Sequence, residues 1–260
     1  MKNVSAIFVC TLAFATTWFV ACSSNNSNPA SNNNSNNNNN GNPAAHSFSP
    51  VIGSTAQYDQ WTTDSTGKIP NSDQLVHETF VAGGLSYQGM QNVYLLVDSI
   101  FHDTTTSMIS EVDSFYTIAN GGELWQFGAV SKEATILGGS LLNLPQHWDM
   151  VANEGNTSGW MVDTASQNIP NFANVFLQLN GKDVGDTNIT VGTTTLLSNH
   201  SELAGTMLFT AGTQSVNEPL HIEVYTSYAN PTATTKYIIA PAYGAGIFLL
   251  GSVRALQSWK

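Results

Sequence analysis

The chain has 260 residues, only 10% of them charged, and its 18 acidic residues outnumber its 7 basic residues for a net charge of −11. Nucleic-acid binding depends on clustered Lys and Arg, so this balance argues against a nucleic-acid partner. Long surface helices and coiled coils draw on Glu, Lys, Arg and Ala, whereas the abundance of Thr, Ser, Asn and Gly here favours an exported all-β protein.

The N-terminus predicts a signal peptide over residues 1–21, because Lys2 is followed by a mostly apolar run. That run ends in Phe-Val-Ala-Cys at positions 19–22, which resembles the bacterial lipobox except that Phe replaces the usual Leu. The resemblance implies a diacylglyceryl group on the Cys22 sulfur, cleavage before Cys22 and acylation of the new amino terminus. An uncleaved transmembrane anchor over the same residues is the alternative.

Residues 22–45 predict a lipidated cysteine followed by a disordered linker. The linker is rich in Asn and Ser and has no aromatic residue and no Val, Leu, Ile or Met, so it cannot bury enough apolar area to fold. A flexible coil of this length spans about 25 to 30 Å. Ser23 stands where Asp would resemble an inner-membrane retention signal, which favours the outer membrane. No cysteine follows Cys22, so we expect neither a disulfide nor a thiolate site in the remaining chain.

Residues 46–260 predict one β-rich globular domain. Its first strands are expected over residues 55–63 and 74–82. Residues 92–102 predict another strand, although their apolar spacing also fits an amphipathic helix, and the lack of helix-forming charged residues favours the strand.

A hairpin is expected in the next part of the chain. We predict a turn over residues 103–106 and a strand over 107–119, with Met108, Val112, Tyr116 and Ile118 on one face. Asn120-Gly121-Gly122 predicts a tight turn, after which Trp125 and Phe127 share one face of a returning strand.

The middle of the chain is less regular in sequence. Turns are predicted at Gly138-Gly139, at residues 153–159 and 168–171, and at Asn180-Gly181. Residues 182–188 hold three oxygen-bearing side chains around a glycine, but their spacing does not match a calcium-binding EF-hand loop. They therefore predict a solvated hairpin turn.

The C-terminal part predicts a second meander, with strands over residues 220–228, 234–240 and 247–256. Residues 237–247 read Tyr-Ile-Ile-Ala-Pro-Ala-Tyr-Gly-Ala-Gly-Ile. This element resembles the closing segment of bacterial envelope lipoproteins whose layout is similar to the LolA/LolB half-barrels. The resemblance implies a curved sheet around an apolar concavity. The predicted fold class is thus all-β and mainly antiparallel, a curved sheet or half-barrel, with a β-sandwich as the alternative.

The sequence contains no established catalytic or cofactor motif. Gly138-Gly139-Ser140 lacks the closing glycine of a nucleophile elbow. His147 with Asp149, and His221 with Glu223, have the strand spacing of paired ligands, but neither pair has an evident third ligand, so an exposed polar face is the favoured interpretation. Nucleotide-binding glycine loops are absent. We therefore predict no cofactor, no metal site and no enzymatic activity.

Two tryptophans are the candidate ligand-binding residues. Trp148 and Trp160 flank the turn-rich stretch 153–159, where an exposed indole is able to stack against a sugar or line an apolar cleft. The sequence as a whole predicts a membrane-anchored envelope lipoprotein, held by lipid on Cys22, that binds a hydrophobic or envelope-derived ligand or a protein partner. A glycan-binding surface module is the first alternative, and an envelope hydrolase with distant catalytic residues is the second.

Overall fold

The computed structural model describes residues 46–102, 109–129, 144–169, 173–244 and 247–260. The predicted signal peptide, Cys22 and the linker lie outside these residues. Within them, no helix has the length and apolar character needed to cross a membrane.

The described residues form strands of very different length. The first eight are β1 (Thr55–Asp64), β2 (Gly67–Lys68), β3 (Gln74–Tyr87), β4 (Met90–Phe101), β5 (Glu111–Asn120), β6 (Glu123–Phe127), β7 (Trp148–Asn153) and β8 (Trp160–Ile169). The others are β9 (Ala173–Val191), β10 (Thr194–Ala211), β11 (Gln214–Ser227), β12 (Thr234–Ile239), β13 (Ala242–Gly244), β14 (Ile247–Leu249) and β15 (Gly251–Trp259).

One large antiparallel sheet contains almost all of these strands. Its order is β7-β6-β5-β4-β3-β1-β15-β12-β11-β10-β9-β8, with β2 paired to β1, while β13 and β14 form a separate small sheet. Two meanders of sequential hairpins, β3 to β7 and β8 to β12, are therefore joined through the pairing of β1 with β15.

The large sheet curls until its two outer strands meet. The Trp160 indole Nε1 on β8 donates a hydrogen bond to the Met150 carbonyl oxygen on β7 at 2.9 Å. His147 Nδ1, just before β7, lies 2.8 Å from Asp163 Oδ1 on β8. The sheet is thus a nearly closed barrel. This confirms the predicted all-β antiparallel class with a curved sheet, and the β-sandwich alternative is wrong.

Residues 46–54, here called the N-terminal segment, cross one end of the barrel, which we call end A. Phe48 N donates to Gly121 O in the β5–β6 turn at 2.9 Å, and Thr232 N in the β11–β12 loop donates to Ser49 O at 3.1 Å. Phe48 is 5% exposed and packs on Leu124 and neighbouring side chains. The opposite end, end B, carries the β10–β11 turn and the start of β5.

The barrel interior is filled by inward-facing side chains. Along β9, buried and exposed residues alternate from Ala173 to Val184. The largest apolar cluster joins β8 to β12 and includes Val175, Leu177, Leu179, Leu203, Met207, Leu220, Ile222 and Val224. A second cluster, around Tyr58, Val76 and Ile100, fills the part of the barrel beneath β1, β3 and β4.

Several predicted elements are confirmed. The expected strands at 55–63 and 74–82 correspond to β1 and β3, and residues 92–102 form β4, so the helical alternative is wrong. The hairpin turn lies at Gly121, whose φ is 60°. The predicted turn at 103–106 and Gly138-Gly139 lie outside the described residues.

Other predictions are wrong. The turn expected at Asn180-Gly181 and the solvated hairpin at 182–188 both lie inside the long strand β9. The single strand expected over 247–256 is divided between β14 and β15. On β5, Ile118 is buried as predicted, but Val112 is 58% exposed.

Candidate functional site

A charged network lies inside the barrel, on four adjacent strands. Tyr58 on β1, Glu78 on β3, Asp98 on β4 and Arg254 on β15 all project inward. Glu78 and Asp98 are direct partners in the antiparallel register. Both carboxylates alternate with apolar inward residues of their strands, so strand geometry fixes their direction.

Hydrogen bonds connect the members of this network. Tyr58 OH donates to Glu78 Oε1 at 2.9 Å, and Arg254 Nη1 donates to Asp98 Oδ2 at 2.9 Å. Arg254 Nε also donates to Gln60 Oε1 at 2.8 Å, and the guanidinium lies 5.3 Å from the centre of the Tyr58 ring. The other Asp98 oxygen, Oδ1, is buried without a hydrogen-bond partner.

The pKa values in this network are shifted because two buried carboxyl groups, Glu78 and Asp98, lie beside a single guanidinium, that of Arg254. Burial and then the charge of Asp98 raise the pKa of Glu78 to about 7. Burial alone would lower the pKa of Arg254, but the charges of Asp98 and Glu78 outweigh this effect and raise the pKa above its ordinary value. The guanidinium therefore stays charged. Burial, followed by the charge of Glu78, raises the pKa of Tyr58 well above its ordinary value. Glu78 is therefore the member whose charge changes near neutral pH.

Glu78 also lines a small pocket at end A. The pocket measures about 180 Å³ including its open mouth, and its walls include Phe80, Trp259, Ser54 and Thr232. Only about 10 Å³ of this space is open to the centre of a water-sized sphere, which is room for about one water molecule. The pocket therefore does not hold an acyl chain or another ligand of comparable size.

The two candidate tryptophans do not form one exposed surface. Trp148 is only 8% exposed, and it packs in an aromatic cluster with Tyr87 and Phe127 at ring distances of 6.5 and 5.5 Å. Trp160 is half-buried over Gly181, where an added Cβ would lie 2.2 Å from the indole. The expectation of an exposed indole is wrong for Trp148, which packs beneath the β3–β4 hairpin, whereas Trp160 keeps part of its indole exposed at the barrel seam.

The His221–Glu223 pair lies on the outer face of β11, as expected of a polar face. His221 Nε2 is 3.3 Å from Glu223 Oε1, and the same carboxylate meets His200 Nε2 at 3.5 Å and accepts a 2.5 Å hydrogen bond from Tyr225 OH. That hydroxyl bond is the main cause of the lowered pKa of Glu223. Among the described residues, no three His, Cys, Asp or Glu side chains are grouped as metal ligands.

The second pair, His147 and Asp149, does not form an exposed polar face. Asp149 is fully buried, whereas His147 pairs with Asp163 across the barrel seam. The favoured interpretation of an exposed polar face is therefore wrong for this pair, because the barrel closure that brings Asp163 on β8 to His147 cannot be recognised in the local sequence.

Sequence analysis also missed Glu218, a fully buried residue on β11. Its register partner is Met207, and neither of its carboxylate oxygens has a hydrogen-bond partner. Burial raises the pKa of Glu218. The sequence does contain a signal for Glu78 and for Glu218. Each is a carboxylate at a position where the alternation of its strand predicts an inward apolar residue.

Comparisons with known proteins give two structural likenesses. A crystal structure from Parabacteroides distasonis described as a "putative lipoprotein" shares 12% identity, with a TM-score of 0.49, covering 82% of this chain and 97% of that chain. One from Bacteroides fragilis described as a "putative exported protein with YmcC-like fold" shares 11% identity, with a TM-score of 0.45, covering 83% of this chain and 99% of that chain. Likenesses of this extent assign no family and no activity.

No protein-family model matches the chain. No curated protein matches it either.

Proposed function

We propose that this protein is a lipid-anchored lipoprotein of the bacterial cell envelope, and that its barrel serves recognition instead of catalysis. The observation that carries the proposal is the order of segments in the sequence. The lipobox-like segment and the polar tract precede His46, and from His46 the chain is fastened across end A through Phe48 and Ser49. The barrel therefore follows the tract in sequence, which is the order expected of an anchored domain.

The lipid anchor is tested on the two cysteines of the chain. Mass spectrometry of the mature protein is expected to find an N-terminal Cys22 carrying a diacylglyceryl group and an amide-linked acyl chain. Cys22→Ser should abolish this modification and leave unprocessed precursor, whereas the matched change Cys10→Ser, inside the signal peptide, should leave the modification intact. An unmodified Cys22 in mature protein would contradict the proposal.

The outer membrane is the finer part of the proposal, and it rests on Ser23. In a diderm host that reads Asp after the lipidated cysteine as a retention signal, Ser23→Asp should move the protein from the outer to the inner membrane fraction on a density gradient. Ser23→Asn is the matched control without the charge. Wild-type protein in the inner membrane fraction would overturn this assignment.

A hydrophobic or envelope-derived ligand or a protein partner is the proposed object of recognition. The pocket at end A has room for about one water molecule and encloses no ligand, so we favour a protein partner that contacts the barrel surface. The glycan alternative rested on exposed Trp148 and Trp160; Trp148 is buried, which leaves only the half-buried Trp160 to support it.

One observation favours the hydrolase alternative, namely the 2.8 Å contact between His147 and Asp163. A serine hydrolase requires a nucleophilic hydroxyl on the other ring nitrogen, and no contact of this kind involves His147 within the described part of the chain. We expect no labelling by a fluorophosphonate probe. Labelling that disappears in His147→Ala, with unchanged circular dichroism, would instead support catalysis.

A further inference from the structure

Three exposed apolar residues lie at end A on two segments joined by backbone hydrogen bonds, and we call them the apolar rim. Val51 is 40% exposed, Ile52 58% and Val81 46%. They are neighbours because Gly53 N donates to Phe80 O at 2.8 Å and Phe80 N donates to Ser54 O at 3.1 Å. Ile52 also lies over Gly83, where an added Cβ would be 3.0 Å from its terminal methyl carbon.

The two chain segments that carry the apolar rim hold no acidic or basic side chain, and two described carboxylates at end A, Glu154 and Asp186, lie toward His46 and Tyr228. Residues 47–58 and 79–97 contain no Asp, Glu, Lys or Arg, although the protein as a whole is strongly acidic. Acidic side chains are repelled by anionic lipid headgroups and are costly to desolvate at a membrane surface. Uncharged apolar residues partition favourably into the headgroup region. The rim thus has the chemistry of a bilayer contact.

The described part of the chain begins at the same end, at His46. His46 is held at end A through its main-chain nitrogen, which lies 3.3 Å from both carboxylate oxygens of Glu154. Residues 23–45 separate it from Cys22, and at about 3.3 to 3.6 Å per residue they reach at most roughly 80 Å. This reach permits contact between end A and the bilayer without forcing it, so the surface chemistry of the barrel decides the orientation.

We propose that the barrel rests on the lipid surface through end A, with Val51, Ile52 and Val81 inserted among the headgroups. The inference depends on the lipid anchor on Cys22 of the proposed function, because anchoring supplies the high local concentration that a small apolar contact needs. End B, with Val112 and the β10–β11 turn, then faces away from the membrane.

The test uses the lipidated full chain reconstituted in phosphatidylethanolamine–phosphatidylglycerol vesicles. The sulfur of Cys22 carries lipid and Cys10 is removed with the signal peptide, so an introduced cysteine is the single reactive thiol. Ile52→Cys and Val112→Cys are a matched pair, because both native side chains are 58% exposed. Each is labelled with the environment-sensitive dye NBD, and quenching by lipids with brominated acyl chains is measured.

We expect blue-shifted emission and strong bromolipid quenching at position 52, at least threefold greater than at position 112. In the Ile52→Cys background, Val81→Asp should reduce the quenching to the level of position 112, whereas Val112→Asp should leave it unchanged. Equal quenching at positions 52 and 112 would overturn the proposal. Protection of position 52 from aqueous iodide without bromolipid quenching would also overturn it, since a second copy would then cover the rim.

Flotation of the vesicles separates this result from the anchor itself. Protein that floats with the vesicles but shows no preferential quenching at position 52 contradicts the orientation alone. Protein that does not float contradicts lipidation, and the orientation fails with it.

Discussion

Glu78 makes the stability of the barrel depend on pH. Its carboxyl has a pKa of 4.5 when unperturbed and about 7 in the fold, so the folded state holds the proton more tightly than the unfolded chain. The free energy of unfolding therefore falls as pH rises from about 4.5 to about 7, and it levels off above that range. Burial is the main cause of the raised pKa, and the charge of Asp98 adds to it. Arg254, which is paired with Asp98, offsets the rise only in part.

Glu78→Gln should remove this pH dependence. The amide oxygen still accepts the Tyr58 hydrogen bond but carries no charge, so the variant is expected to be more stable than wild type at pH 8 and similar at pH 4.5. The gain is at most about 3 kcal/mol at 1.36 kcal/mol per pKa unit. Urea unfolding at both pH values measures it. Asp59→Asn, at an exposed neighbouring position, is the control, and an equal effect of both changes would contradict the prediction.

Arg254 balances the charge of the buried Asp98 carboxylate. Removing Arg254 alone should therefore lower the free energy of unfolding by more than the ion pair contributes to it. Arg254→Met leaves the fully buried Asp98 without its partner and is expected to destabilise the fold by about 3 to 5 kcal/mol. The double variant Asp98→Leu/Arg254→Met should recover most of that loss in the same unfolding measurement. Additive losses from the two single changes would show that the residues do not act as a pair.

The sequence indicates that these charged residues face inward but not that they meet. Glu78 lies between Val76 and Phe80 on the inward face of β3, and Asp98 lies two residues before the buried Ile100 on β4. That pattern indicates a buried carboxylate in each strand. Arg254 joins them only because β15 pairs with β1, across nearly the whole length of the chain, and no local pattern indicates such a pairing.

Strand β9 explains why the middle of the chain was hard to predict. Asn-Gly and Asp-rich stretches usually indicate turns, yet here they lie within one continuous strand. Asp183 is tolerated in the barrel because Asn199 Nδ2, Gly155 N and Gly185 N all donate to its carboxylate, at 2.7 to 3.0 Å. Position 181 requires glycine because the Trp160 indole on β8 packs directly over it. Both reasons are tertiary and leave no trace in the local sequence.

Gly181→Ala should weaken the barrel seam. An added methyl group would occupy the place of the Trp160 indole, so the indole must move and its hydrogen bond to Met150 is lost. We expect a loss of about 1 to 3 kcal/mol in unfolding free energy, together with a red shift of tryptophan fluorescence. Asn180→Ala, at the exposed neighbouring position of β9, should change neither, and a silent Gly181→Ala would contradict the seam described here.

At the scale of the whole molecule, the N-terminal segment is part of the folded unit. Phe48 stacks on Tyr228 with ring centres 5.4 Å apart and is nearly fully buried. Phe48→Ala should therefore lower the free energy of unfolding of the entire barrel, by about 3 kcal/mol. Ser47→Ala, at an exposed position, is the control. An unchanged unfolding midpoint for Phe48→Ala would mean that the segment is attached only loosely.

The sequence predicted the fold class because period-two alternation is a local property of strands such as β4 and β11. Barrel closure was less accessible, since it depends on the Trp160–Met150 contact between two short strands at opposite edges of the sheet. The apolar rim could not be predicted from the sequence either, because it also depends on contacts between distant residues. Val81 and Ile52 are distant in sequence and become neighbours only through the hydrogen bonds between residues 53–54 and Phe80.

The pairing of β1 with β15 bears on the order in which the chain folds. A polypeptide that emerges N-terminus first releases β1 first and β15 last of the described strands, so β1 pairs early with β2 and β3 but must wait for β15. Each meander is able to assemble from nearby hairpins meanwhile, but both keep an open hydrogen-bonding edge until β15 arrives. During that interval the half-assembled molecule is most prone to associate with its neighbours, and a holdase chaperone would be most useful to it.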